Sequence, residues 1–178
     1  MMQKRLKENE AAISLSTTGQ QVFLPYLDAQ YRTKGAQLLV KELTDRLIKE
    51  TPQQSVFYAP LAASRLFQHP DHVLVRQIGL ELTKRGQRVH FYPDYPYMGL
   101  GRGAGYLSSK SLQKRAERVV GHSLQAQLNK LTASQLSNKR QALLCYKTQY
   151  LPLNIMTLGT ISRIASRPYE LTFSPTTA

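Results

Sequence analysis

Tryptophan is absent from this chain and cysteine occurs once, at Cys145. A single thiol cannot form an internal disulfide, so a disulfide-stapled scaffold is excluded and the fold must rest on a hydrophobic core. Acidic residues are scarce: Asp and Glu number 11 against 24 Lys and Arg, a formal net charge of +13, and the aspartates are Asp28, Asp45, Asp71 and Asp94 alone. Long apolar runs are missing too. None approaches the ~18 residues that a membrane-spanning helix needs. Lys4, Arg5 and Lys7 lead into Glu8, Asn9 and Glu10 rather than into the apolar stretch of a signal peptide. These absences set the expectation of a soluble cytoplasmic protein. What is present is ordinary: 178 residues, 42% hydrophobic and 20% charged, are enough for one core and too apolar for a disordered chain, so a single domain over 1–178 is expected.

Periodicity orders the chain. Residues 1–16 read as a short surface helix, and Gln21 to Leu24 as a strand that breaks at Pro25 into a polar tract. Leu39, Leu43 and Leu47 recur every four residues in a helix from Ala36 to Glu50, stopped by Thr51 and Pro52. Ser55 to Ala59 is a β-type run that Pro60 should end. Helical spacing resumes at Pro70, with Val73, Leu74, Ile78 and Leu82 inward, and stops at Gly86; Arg88 to Tyr92 is the next strand. Strand, helix and strand in alternation predict an α/β domain with a mostly parallel, Rossmann-like sheet flanked by helices. A Pro/Tyr/Gly segment follows, in which 98–110 reads as a flexible loop. Two basic helices are expected over Leu112 to Leu128 and Ala133 to Tyr150, and the tail from Leu151 to Ala178 ends in a Thr/Pro stretch expected to fray. There is no internal repeat.

Four histidines carry whatever metal or acid–base chemistry the chain has: His69, His72, His90 and His122. Two lie in His69-Pro70-Asp71-His72, where Pro suits the first helical position and Asp the positive end of the helix dipole. Both imidazoles then project from the carboxyl end of a strand, the edge at which open α/β sheets bind ligands. The same spacing also describes a plain capped helix with two polar neighbours, and a catalytic zinc needs three protein ligands where this motif offers one or two. His90, among Val89, Phe91 and Tyr92, reads as a satisfied strand histidine, His122 as an exposed one and Cys145 as a small core residue. Gly99 to Gly105 lacks the strand-to-helix context of a dinucleotide-binding loop.

Several separated motifs point further. Ala59-Pro60 precedes His69-Pro70-Asp71-His72; Arg5-x-x-Glu8 and Leu27-Asp28 with Arg32 come before it; Phe91-Tyr92-Pro93-Asp94-Tyr95-Pro96-Tyr97, the stretch Lys139 to Gln149, and Tyr169-Glu170-x-x-Phe173 follow. In this order and spacing the chain resembles the PIG-L/LmbE family of zinc-dependent de-N-acetylases. The resemblance implies hydrolysis of an N-acetyl group, commonly on a small-molecule amino sugar, by zinc-bound water. It implies that His72 is a zinc ligand and that His69 stabilises the oxyanion or protonates the leaving amine. Asp71 would orient a histidine, and Asp94, Tyr95 and Tyr97 would line the substrate site.

The family's first strand ends in Ala-His-Pro-Asp-Asp-Glu, which supplies two further zinc ligands and the general base. This chain has no such segment. The expectation is therefore the carboxyl-terminal portion of a PIG-L-like domain, missing the first family strand and inactive alone. The alternative is a degenerate, non-catalytic member that binds an anionic ligand or nucleic acid through a basic helical face, because residues 98–147 hold nine basic residues and one acidic, Glu117. No RNA- or DNA-binding motif accompanies that charge.

Overall fold

The computed structural model describes residues 2–15, 22–24, 26, 40–63, 69–94, 109–156 and 159–176. In chain order these form α1 (Met2–Ser14), α2 (Val40–Glu50), β1 (Val56–Pro60), α3 (Pro70–Lys84), β2 (Arg88–Tyr92), α4 (Ser109–Val120), β3 (Leu124–Lys130), α5 (Ala133–Cys145), α6 (Lys147–Met156), α7 (Thr160–Ala165) and β4 (Tyr169–Pro175). The architecture is α/β. The four strands make one sheet in the order β1-β2-β4-β3.

The unit β1–α3–β2 follows the sequence expectation. β1 and β2 are parallel, in register from Val56 opposite Arg88 to Pro60 opposite Tyr92, and α3 makes the crossover. Pro60 closes the strand rather than stopping short of it; β1 is an edge among the described strands, where a missing N–H is tolerated. Alternation sends Val89 and Phe91 toward the helices and leaves Arg88 and Tyr92 on the far face. On α3, Ile78 and Leu82 are buried one turn apart, and Gly79 lies between them because a Cβ there would sit 3.0 Å from both Ala59 Cβ and Phe91 Cε1. α2 packs on α3 with Leu43 buried, and Arg85 of the α3 cap bonds Asp45 of α2.

The other half departs from expectation. Both further pairings, β2 with β4 and β4 with β3, are antiparallel, so the sheet is mixed, with one parallel pair, rather than mostly parallel. The helix expected over Leu112 to Leu128 ends at Val120. Leu112, Ala116 and Val120 keep the four-residue spacing and are buried, then Gly121 adopts φ +78, which a side chain would resist. Glu117 accepts the Leu124 N–H at 3.1 Å, fixing the reversal. Beyond it Leu124, Ala126 and Leu128 alternate with Gln125, Gln127 and Asn129, a period of two that belongs to a strand. The tail from Leu151, where no strand is expected from the sequence, holds β4, with Leu171 and Phe173 buried. Its strand is held because Phe173 sits opposite both Phe91 and Ala126, closing the core from the second side.

The expected strand at 21–24 is not formed by 22–24, and residues 21 and 98–108 lie outside the described set; Ser109 and Lys110 of the expected loop begin α4. The remaining helices pack on one another. α1 lies against α5 and α6, where Glu8 accepts from the Thr148 N–H (2.9 Å) and hydroxyl (2.6 Å), capping the start of α6, and Asn9 Oδ1 accepts the Tyr146 hydroxyl proton at 2.7 Å. Thr132 and Gln135 form a reciprocal capping box at the start of α5.

Candidate active site

The site is built at the carboxyl ends of β1 and β2. β1 runs into Leu61, Ala62 and Ala63, all buried, and the Leu61 N–H bonds the Tyr92 carbonyl at 2.9 Å, so the two strand ends stay side by side beyond the last ladder pair. Ala62 takes φ +45, a conformation that a residue with a Cβ adopts only when its surroundings impose it. The imposing group is Arg76 of α3, whose Nη1 donates to the carbonyls of Leu61 (3.2 Å) and Ala62 (3.0 Å).

α3 begins at this edge. His69 is its N-cap and Pro70 its first residue; the His69 Nδ1 accepts the Asp71 N–H at 3.3 Å. An accepting Nδ1 puts the proton of a neutral ring on Nε2, so His69 presents an N–H donor. His72, one turn on, has its ring centroid 5.1 Å from that of His69. Its Nδ1 lies 2.9 Å from Oδ2 of Asp94, two residues past β2. A carboxylate only accepts, so His72 Nδ1 is the donor and the basic lone pair of the neutral ring is on Nε2. As neutral rings the two imidazoles hold opposite tautomers, with the proton on Nε2 of His69 and on Nδ1 of His72.

Asp94 is the buried member of the group, 5% exposed, and its Oδ1 has no hydrogen-bond partner among the described residues. A buried carboxylate costs several kcal/mol unless it is compensated. Here the compensation comes from His72 and from the nearby guanidinium of Arg76. Burial lowers the Arg76 pKa from its ordinary value, and the Asp94 charge pushes it back up. The Tyr92 phenol is raised, first by burial and then by Asp94.

The structure therefore brings His69, Asp71, His72 and Asp94 to one edge; Tyr95 and Tyr97 lie outside the described residues. The Asp71 carboxylate lies at ion-pair distance, 3.7 Å, from His69 Nδ1, the nitrogen that also accepts the Asp71 N–H, while Asp94 Oδ2 is the carboxylate oxygen 2.9 Å from His72 Nδ1. Arg76 was not singled out from sequence. Its signal is its spacing, four residues after His72 on the same helix, which places both on one face. The Ala62 conformation has no sequence signature, since nothing about alanine announces a positive φ. Among the described residues no group of three His, Cys, Asp or Glu that could hold a metal comes together, so these residues do not by themselves complete a three-ligand zinc site.

Other candidates are accounted for elsewhere. His90 Nδ1 is 2.8 Å from the Ser174 hydroxyl and its ring stacks on Tyr58 at 5.3 Å, the satisfied strand histidine expected. His122 is exposed in the turn after α4, and Cys145 is half-buried at the end of α5. A cavity of about 140 Å³ lies between α5, α6 and α7, but its walls are Leu143, Tyr150, Leu153, Ile161 and similar residues, with no carboxylate or imidazole. Of the basic residues of 98–147 that are described, Lys110, Lys114 and Arg118 are exposed at four-residue spacing along α4, and the others are divided among α4, β3, α5 and α6. Lys139 pairs with Glu170 at 2.6 Å.

Compared with known proteins, the chain matches no family model, no curated protein and no solved structure.

Proposed function

We propose that this chain carries the carboxyl-terminal half of a PIG-L-like de-N-acetylase site, acting on an N-acetylated amino sugar or similar small amide. The observation that carries the reading is the His72–Asp94 hydrogen bond of 2.9 Å at the carboxyl edge of the parallel strand pair, with His69 in the opposite tautomer beside it. A metal-ligating histidine characteristically gives its other N–H to a carboxylate, which fixes the ring and makes it a better donor. His72 is in that arrangement and is one zinc ligand in this reading. Zinc, when bound, polarises the amide carbonyl and makes its water acidic enough to attack near neutral pH.

The chain's own residues then divide the work. Asp94 holds His72, Arg76 bonds the Leu61 and Ala62 carbonyls and sets its charge near Asp94, and the Nε2–H of His69 is the donor for an oxyanion or for the departing amine. The reading also takes β1–α3–β2 as the part of a Rossmann-like sheet next to which the ligand-bearing strand belongs. The resemblance assigns two further ligands and the general base to a His-Pro-Asp-Asp-Glu segment that this sequence does not contain, so in this reading the chain alone holds zinc below stoichiometry and releases no acetate.

The test adds what is missing. Fusion of a strand ending in Ala-His-Pro-Asp-Asp-Glu upstream of α1 should yield stoichiometric zinc and acetate release from N-acetylglucosamine derivatives. His72→Ala in that fusion should abolish both, and Asp94→Asn should weaken zinc about 10–100-fold. A fusion that folds, as judged by circular dichroism, yet takes up no zinc would sink the reading. So would turnover that survives His72→Ala.

A further inference from the structure

α6 is an unusual helix: its inward side holds Gln149, Tyr150, Leu153 and Asn154, all half-buried, while its exposed residues are Lys147 and Thr148 in the first turn and then Leu151, Pro152 and Ile155. Leu151 and Ile155 are 62% and 67% exposed, and Leu144 on the last turn of α5 is 56% exposed. The outward side of this helix is thus more apolar than its inward side, the reverse of α2, whose outward residues are Lys41, Glu42 and Asp45. Large aliphatic side chains grouped in this way mark an interaction surface.

Charge narrows the partner. From Arg118 to Tyr169 there is no acidic residue, and Lys130, Lys139, Arg140, Lys147, Arg163 and Arg167 are all basic. Arg140 is exposed one turn before Leu144, and Lys147 is exposed one turn before Leu151, so the cations border the apolar group. A second copy of this chain docked through the same face would set Arg140 and Lys147 against their like, while the two carboxylates that reach these helices, Glu8 on Thr148 and Glu170 on Lys139, are already engaged. Nucleic acid would answer the charge through its phosphates but would leave the aliphatic group unused, since Leu, Ile and Pro offer a base no stacking surface. Aliphatic residues ringed by cations suit an anionic lipid surface, where side chains enter the acyl boundary and Lys and Arg meet the headgroups. With ten residues, α6 is about 15 Å long, half of what spanning requires, so it lies along the surface.

We infer that the α5–α6 corner, through Leu144, Leu151 and Ile155 with Arg140 and Lys147, is a docking surface for membranes rich in anionic phospholipid. The inference is independent of the histidine site. It is tested by sedimenting the full chain with vesicles of phosphatidylcholine alone and of phosphatidylcholine mixed with phosphatidylserine. The chain should pellet with the mixed vesicles only, and added salt should release it. The double variant Leu151→Gln/Ile155→Gln should lose the binding, and Lys147→Gln should weaken it roughly fivefold. Leu128→Gln, an equally exposed leucine on β3, should bind as the parent does. Failure to pellet with the mixed vesicles, or undiminished pelleting of the double variant, overturns the proposal. Sedimentation velocity supplies a further check: a dimer that the double variant abolishes would assign the face to a second copy instead.

Discussion

The two sides of the sheet's central seam are built on different principles. On one side, β1–α3–β2 is parallel and crossed over by a helix, and its charges are balanced locally: Asp94 against His72 and Arg76, and Asp45 and Glu81 against Arg85. On the other, β4 and β3 are antiparallel and lead to or from helices with almost no carboxylates. The first side buries polar groups and strains its backbone at Ala62; the second satisfies its ends with caps and leaves leucines outside. A chemical site needs the first kind of construction, because catalytic groups must be desolvated and held. A surface that meets another phase needs the second.

The contrast can be broken at its joint. Phe91 and Phe173 face each other across β2 and β4, and both are fully buried. Phe91→Ala should cost about 4 kcal/mol in urea unfolding, and Phe173→Ala a similar amount. A double-mutant cycle should show a coupling of about 1 kcal/mol or more; strict additivity would mean that the two rings do not interact across the seam. Arg76→Met comes next, at about 2 kcal/mol, because it strands the Leu61 and Ala62 carbonyls and leaves Asp94 with one partner fewer. Gly79→Val should cost about 2 kcal/mol by pushing α3 off Ala59 and Phe91.

A smaller effect should be seen at high pH. The folded pKa of Tyr92 is raised by burial and by Asp94, and that of Tyr146 by burial, Cys145 and Glu8. Their contribution to stability is complete below the ordinary tyrosine value near 10 and is lost as the pH rises through the folded values. Stability should therefore fall above about pH 10, less steeply in Tyr92→Phe/Tyr146→Phe, as thermal unfolding across that range would reveal. Smallest of all is Leu151→Ser on the outward side of α6, expected within about 0.5 kcal/mol of the parent. A larger loss would show that this leucine is part of the core and would remove it from the docking surface.

The first side was largely legible from sequence. Val56 to Pro60 and Arg88 to Tyr92 are short apolar runs with clean boundaries, and the helix between them announces its start by Pro70 and its end by Gly86. The His-Pro-Asp-His motif sits where the chain passes from strand end to helix, so its placement at the sheet edge followed as well. The pairing of His72 with Asp94 did not, since it spans 22 positions and exists only because β2 ends beside β1 in register. The second side misled for a physical reason. Val119, Val120, Leu124 and Leu128 can be read at helical spacing, and only the alternation of Leu124, Ala126 and Leu128 with Gln125, Gln127 and Asn129 reveals a strand. β4 is short and sits near the end of the chain, and its burial depends on pairing with residues far away.

β1 ends the row of described strands, with β2 on one side of it. The backbone groups of its other side are therefore a template for growth. An extended segment added there in parallel would bring its own carboxyl end level with Ala62 and His69, and the two-residue alternation would decide which of its side chains turned toward them. What the histidine edge can do is in this sense a matter of addition: its reach is set by the next strand laid against Val56 to Pro60.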